Sequence, residues 1–276
     1  MTSETVSGET VSGETVPGET APAFASAAPL KGVARVRRLW RLFRNEQQDP
    51  APFYEMLAAE AVARLEHRHG PLAGRSIVDV GCGPGFYATA FRARGARVVP
   101  FDGSHDELCL AGDPPHGAVA ADAARMPFGD ASVDGVFCSN MFEHVPNPAD
   151  VMAEIERVLR PGAWAYVSYT NWYSPWGGHN ITPYHLLGTE RGPRLYEKRH
   201  GGPPPKNVPG AGLFPLHVKD GLRLAREQPG LRLDRAEPRY WSWAPFLTRI
   251  PGARELLCWN LAMHLTRIST GSDLDA

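Results

Sequence analysis

Residues 77–86 read Ile77-Val78-Asp79-Val80-Gly81-Cys82-Gly83-Pro84-Gly85-Phe86. An apolar run too short for a helix meets three glycines spaced by single residues, and a stretch of helical character follows over 86–94. The run is a buried parallel strand. Glycines let the backbone turn sharply and let a ligand come close to it. A helix that starts there offers free N–H groups and the positive end of its dipole, which suit a carboxylate or a phosphate. The spacing is G-x-G-x-G, and Phe86 stands where the dinucleotide pattern G-x-G-x-x-G has its third glycine.

Working outward, apolar runs at 97–101, 118–121, 133–139 and 164–169 alternate with helical stretches, one of them opened by the capping-box pattern Ser104-His105-Asp106-Glu107 and one spanning 148–160 before Pro161-Gly162. Alternation of this kind implies right-handed crossovers and a mostly parallel sheet covered on both faces. Acids recur at successive strand ends. Asp79 lies in the first strand, Asp102 ends the second, and Asp122 follows the third. A carboxylate in the Asp102 position can accept hydrogen bonds from both hydroxyls of a ribose. One at Asp122-Ala123 can meet the exocyclic amine of an adenine. Three carboxylates suit a ligand with positive charge and suit a pyrophosphate poorly. Pro100 lies inside the second strand, where it has no N–H to give the ladder, so a bulge or an early end to the strand is expected there.

The chain has 276 residues, with 29 Lys+Arg against 30 Asp+Glu. That balance argues against a wholesale nucleic-acid binder. No apolar stretch reaches 18 residues, which disfavours insertion through a membrane. The cysteines Cys82, Cys109, Cys138 and Cys258 are scattered without a C-x-x-C, so neither a disulfide framework nor a zinc site is expected, and a cytoplasmic setting fits. No metal ligands are assigned. Residues 1–30 carry a five-residue polar repeat (Ser7-Gly8-Glu9-Thr10-Val11, then Ser12-Gly13-Glu14-Thr15-Val16) and are expected to be a disordered tail. Lys31 to Arg44 holds six bases and no acid, with Val33, Val36, Leu39, Trp40 and Phe43 at helical spacing. This basic amphipathic helix either packs its stripe on the main domain or makes peripheral contact with an anionic surface. A second helix is expected from Asp49-Pro50 to His69-Gly70. Residues 31–70 are then two helices capping the site, ahead of a main domain at 71–276. Its segment 171–215 breaks the alternation, is rich in Gly, Pro, Trp, Tyr and His, and reads as a lid or substrate insertion. An aromatic helix is expected near 244–259 and a final strand at 261–265.

Five stretches together resemble the class I S-adenosylmethionine-dependent methyltransferases of the small-molecule type: VDVGCGPG (78–85), the acid of PFDGS (100–104), DAARMPFGDASVDGVFCSN (122–140), EHVPNP (143–148) and RVLRPGA (157–163). They span roughly residues 76–169. The region around Ser174-Pro175-Trp176-Gly177-Gly178-His179, with the entry Arg44-Asn45-Glu46-Gln47-Gln48-Asp49-Pro50, is similar to a little-characterised bacterial subgroup of these enzymes. The resemblance implies an α/β Rossmann-like sheet of seven strands in the order 3-2-1-4-5-7-6, strand 7 antiparallel. It implies S-adenosyl-L-methionine as cofactor, with Gly81, Gly83 and Gly85 bordering the methionine part and Asp79 reaching its amino group. Asp102 would take the ribose hydroxyls, Asp122 and Ala123 the adenine, and Ser139 and Asn140 the floor beneath the sulfonium. It names no acceptor, and no oligomeric state follows from it.

The expected reaction is in-line displacement of a methyl group by a nucleophile of a small-molecule substrate, an oxygen first among the candidates. Such a nucleophile gains from a base. His144 is the first candidate, with capping of the helix near Asn147-Pro148 as the competing reading. His179 and His185 in the insertion are further candidates for base or substrate contact, against a role as ordinary loop histidines. Tyr54, Trp172, Tyr173 and Trp176 could wall the pocket or serve as core. Cys82 and Cys138 read as small apolar residues, and Trp241, Trp243, Phe246 and Trp259 as packing. The alternative from another class is a non-catalytic protein that keeps the cofactor fold and binds a partner or anionic membrane through the helix at 31–44.

Overall fold

The computed structural model describes residues 32–45 and 48–269. The expected disordered tail at 1–30 lies outside the described residues. Helices α1 (Gly32–Asn45) and α2 (Ala51–His69) precede strand β1 (Ser76–Val80). Then come α3 (Phe86–Arg92), β2 (Arg97–Asp102), α4 (His105–Leu108), β3 (Val119–Ala120), β4 (Val133–Ser139), α5 (Pro148–Val158) and β5 (Leu159–Thr170). The chain closes with α6 (Gly188–His200), α7 (Val218–Glu227), β6 (Leu231–Pro238), α8 (Ala253–Leu257) and β7 (Asn260–Arg267). The seven strands form one sheet in the order β3-β2-β1-β4-β5-β7-β6. Strands β1 to β5 pair in parallel, and β7 runs antiparallel to both β5 and β6.

Alternate residues of the central strands feed two cores, as the two-residue period of a strand requires. Val78, Val80, Val136 and Cys138 face α5 and α7. Ile77 and Phe137 face α2 and α3 together with Trp164 and Tyr166 of β5. Gly135 pairs with Trp164 across the β4–β5 ladder. The indole lies over it so closely that a Cβ at Gly135 would sit 2.6 Å from Trp164 Cε2.

Pro100 causes no bulge. It pairs in continuous register with Asp79. The carbonyl of Phe101 accepts from Gly81 N at 2.8 Å, so Phe101 presents its polar groups to β1 and Pro100 presents its own to the opposite side. On that side β3 pairs only with Phe101 and Asp102. The missing N–H therefore faces a position where no ladder exists.

Three expectations are corrected. Asp49 does not cap α2; the helix starts at Ala51 with Pro50 ahead of it and no side-chain cap. The segment expected to be one aromatic helix near 244–259 is a 3-10 turn at Pro245–Arg249 and the short α8, separated where Pro251 and Gly252 cannot continue a helix. Trp243 and Phe246 do not pack inward but are 78% and 52% exposed. The insertion also holds a helix that its composition hides, because α6 contains Pro193 and mostly polar residues.

Helix α1 docks on its neighbours. Arg35 pairs with the nearly buried Glu60 of α2 at 2.8 Å and donates to the Tyr240 carbonyl at 3.3 Å. Phe43 contacts Phe53 and, edge to face at 5.2 Å, Trp176 of the insertion. Arg37, Arg38, Arg41 and Arg44 stay exposed.

Candidate active site

The register of the sheet brings the ends of β1, β2 and β4 to one edge, since Val80 pairs with both Phe101 and Cys138. Gly81, Gly83 and Gly85 all adopt left-handed backbone, at φ 72°, 49° and 82°. Two of them are also required by close approach. A Cβ at Gly81 would lie 2.7 Å from Met141 Cγ, and one at Gly85 2.6 Å from Pro115 Cγ. Gly83 faces open space, so the middle of the loop is a cradle that a ligand can enter.

Asp102 organises that cradle. Its Oδ2 accepts from Gly83 N at 3.0 Å and its Oδ1 from Ser104 N at 3.0 Å. Each carboxylate oxygen keeps a second lone-pair direction, the valence a ribose diol would use. Asp79 is buried beneath the loop and accepts from the Ala88 backbone N–H of α3. Its Oδ2 is buried with no partner among the described residues. Burial above all, helped by the neighbouring charge of Asp102, pushes its carboxyl up to about 7. A buried carboxylate held in this state is completed by a cationic ligand. Asp122 is exposed and its Oδ1 accepts from Ala124 N at 2.9 Å, while Ala123 is buried in the core beside it. The orphaned acid, the open glycine and the half-engaged Asp102 fit S-adenosyl-L-methionine.

Ser139 and Asn140, expected as floor, are held by a residue that the sequence reading did not single out. Arg239, 4% exposed after the end of β6, donates from Nη1 to Ser139 Oγ at 2.8 Å, Asn140 Oδ1 at 3.2 Å and Ser168 Oγ at 3.3 Å. Its Nη2 donates to Tyr87 Oη. No carboxylate pairs with it among the described residues. The only signal in the sequence is a lone cation between a proline and aromatics, Pro238-Arg239-Tyr240-Trp241. Asn140 sits at φ 55° and also accepts from Asn260 Nδ2 at 2.8 Å.

His144 does not cap α5. It closes a 3-10 turn at Phe142–His144, and Asn147 precedes the helix. Its Nδ1 lies 2.8 Å from the Gly212 carbonyl. A carbonyl only accepts, so Nδ1 carries the proton and Nε2 is left as the lone pair. His179, at φ 46°, stands with its ring 5.0 Å from that of His144. Burial first, and the neighbouring His144 and His185 next, hold its pKa down to about 4, so the ring is neutral. Glu143, quoted in the motif but given no role, is 1% exposed with its carboxyl raised by burial, and its Oε1 accepts from Thr170 N at 2.9 Å. The structure thus brings His144 and His179 together and adds Glu143. His185 lies apart. It is buried, donates from Nε2 to the Trp172 carbonyl at 3.0 Å and packs against Gly178, which is a structural role.

Of the aromatic candidates, Trp172 is core, and Trp176 bridges Phe43 of α1 and Trp259. Tyr54 stacks on Phe86 at 5.8 Å, next to the glycine loop. Burial raises the Cys82 and Cys138 thiols well above their ordinary value, as expected of small apolar residues rather than nucleophiles.

Comparison with known proteins accords with this geometry. Residues 78–167 match the family model described as a methyltransferase domain. An uncharacterized methyltransferase of Mycobacterium marinum is 41% identical over 256 residues, covering 88% of this chain and 97% of that protein. One of Mycolicibacterium paratuberculosis is 42% identical, covering 88% and 96%. Among solved structures, an S-adenosylmethionine-dependent methyltransferase of Mesorhizobium loti shares the fold, with a TM-score of 0.52 over 76% of this chain and 98% of that one at 18% identity. No described helix is long and apolar enough to cross a membrane. With its seven-stranded sheet and its relatives among the methyltransferases, the chain belongs to the class I S-adenosylmethionine-dependent methyltransferases.

Proposed function

We propose that the methyl group goes to an oxygen of a small-molecule acceptor held between the sheet edge and the insertion at 171–215, with His144 taking the proton. The observation that carries this reading is the 2.8 Å contact between His144 Nδ1 and the Gly212 carbonyl. It leaves Nε2 of a half-buried imidazole as the lone pair a general base needs. His179 is an acceptor contact rather than the base, because a ring whose pKa is near 4 gains little by taking a proton at neutral pH.

When bound, S-adenosyl-L-methionine supplies a methyl group already activated on a sulfonium. The residues that would hold it are Asp79 at the amino group, Gly81, Gly83 and Gly85 along the methionine part, Asp102 at the ribose, Asp122 and Ala123 at the adenine, and Ser139 and Asn140 as floor. What remains for the protein is alignment, exclusion of water and removal of one proton. The stacking of Tyr54 on Phe86 and the contact of Phe43 with Trp176 support α1 and α2 as a cover over this site. Peripheral contact with an anionic surface is supported by the exposed Arg37, Arg38, Arg41 and Arg44 beside Trp40, which is 59% exposed.

The test is incubation with methyl-labelled cofactor and a small-molecule extract. Label should appear in base-stable ethers or in esters. The His144→Gln variant should turn over about 10²–10⁴-fold more slowly with cofactor affinity unchanged. Label confined to amines or carbon skeletons, or an unaltered rate in the variant, would overturn the reading.

A further inference from the structure

Glu143 and His144 leave the turn after β4, and His179 comes from the insertion 35 residues later. One ligand atom of each lies within 4.8 Å of those of the other two. Glu143 is 1% exposed. Its Oε1 is satisfied by Thr170 N, while its Oε2 is sealed from solvent without a partner, and so is His179 Nε2. The remaining ring nitrogen of His144 is Nε2, because Nδ1 donates to Gly212. A carboxylate oxygen and one nitrogen of each ring thus lie together, and none of the described residues donates a hydrogen bond to Glu143 Oε2 or His179 Nε2. Leaving buried acceptors in this state is costly, and polar groups so placed await a partner.

We propose that Glu143 Oε2, His144 Nε2 and His179 Nε2 bind one divalent first-row transition ion. Two imidazoles with one carboxylate suit zinc, iron, cobalt, nickel or manganese, whereas magnesium and calcium prefer all-oxygen sites. Three protein ligands leave at least one coordination position open, which is the pattern of sites that handle substrate rather than of structural ones. The outer contacts are those of a built site: a backbone carbonyl fixes the His144 tautomer, and a backbone N–H orients the carboxylate. The cluster also adjoins the cofactor edge, since Asn260 Nδ2 bonds Asn140 Oδ1 at 2.8 Å and reaches Thr170 Oγ1 at 3.5 Å. Resting on the oxygen-acceptor reading above, the open position is where the acceptor oxygen binds. Its proton then leaves to water as the oxygen–metal bond forms, so His144 acts as ligand in the ion-loaded protein and its role as base in the reading above is confined to the ion-free chain.

The experiment uses the tag-free full-length protein, stripped with a chelator and titrated with Co2+ alone, without cofactor or acceptor. Visible d–d absorption saturating at one ion per chain is expected, with Glu143→Gln and His179→Gln each weakening binding at least about tenfold. Unchanged affinity of both variants for S-adenosylhomocysteine shows that they are folded. Should either variant lose that affinity, the X-ray absorption spectrum of the zinc-loaded wild-type protein decides. Two imidazoles plus oxygen support the site, and any other ligand set overturns it. Absence of the bands in the wild-type protein, or their survival in both folded variants, also overturns it. Since the ion is measured by itself, such a failure leaves the oxygen-acceptor reading to its own labelled-methyl test.

Discussion

Nη1 of Arg239 donates to Oγ of Ser139 at 2.8 Å, across 100 residues of chain. The guanidinium also holds Asn140, Ser168 and Tyr87, so one buried cation locks the end of β4, the end of β5 and the start of α3 into a single framework. Replacing Arg239 by Met takes the donor from Ser168 Oγ and Tyr87 Oη, while Asn140 Oδ1 keeps Asn260 Nδ2 and Ser139 Oγ keeps Ser168 Oγ. The expected loss is about 2–4 kcal/mol in urea unfolding, since each unmet group costs about 1–3 kcal/mol and neighbours relax in part. Arg239→Lys, a point charge that cannot span four acceptors, should fall between the two.

Asp79 makes stability depend on pH in a fixed direction. Its carboxyl is held up to about 7 by burial, against an ordinary value of 3.8. The folded state keeps a proton that the unfolded chain releases near pH 4. Stability from this group is full below the unfolded value and is lost as pH rises toward 7. Asp79→Asn keeps an acceptor for Ala88 and removes the charge. It should stabilise the ligand-free protein at pH 8 by up to about 4 kcal/mol, at 1.36 kcal/mol per unit, and weaken cofactor binding. Calorimetric melts at pH 5 and pH 8 check this, since the difference between wild type and variant should shrink to about 1.6 kcal/mol at pH 5, at 1.36 kcal/mol for each unit above 3.8.

Gly81→Ala should abolish measurable cofactor binding by calorimetry, because its Cβ would sit 2.7 Å from Met141 Cγ in left-handed backbone. Removing the obstacle in the double variant with Met141→Gly should restore binding in part, because it takes away both Met141 Cγ and Met141 Cβ, the latter 2.8 Å from the added Cβ, and leaves the backbone strain of about 1–2 kcal/mol. No rescue would mean that the clash is not the cause.

Arg157 staples the segment that carries Asp122 to α5. It bonds Glu154, Asp130 and the carbonyls of Met126 and Phe128. Arg157→Ala should cost about 1–3 kcal/mol and increase amide exchange over residues 122–131, with smaller effect elsewhere in the sheet.

Asp102→Ala removes an acceptor from both Gly83 N and Ser104 N as well as from the proposed ribose contact. Cofactor affinity should fall by about 1–3 kcal/mol. Asp102→Asn, which keeps one acceptor oxygen, should lose less.

The sequence by itself determined the alternation of strands and helices and the place of the glycine loop, while the strand order came with the resemblance that the five quoted stretches carry. The alternation and the loop follow from short-range facts: apolar runs of strand length, glycines where the backbone must turn left-handed, and acids at successive strand ends. Asp79 and Asp102 were legible for that reason, and His144 and His179 were legible as separate candidates. The Pro100 puzzle was visible too, but its resolution needed the length of β3. Only the tertiary structure decided that Arg239 grips Ser139 and that Glu143 completes a cluster with two histidines. It also decided that His185 is structural and that Trp243 faces outward. These depend on which side chains meet across 35 to 100 residues of chain, and no local period encodes that. The order in which strands stack, with β7 inserted between β5 and β6, carries the turn after β6 back to β4, and the chemistry of the edge is assembled by that return.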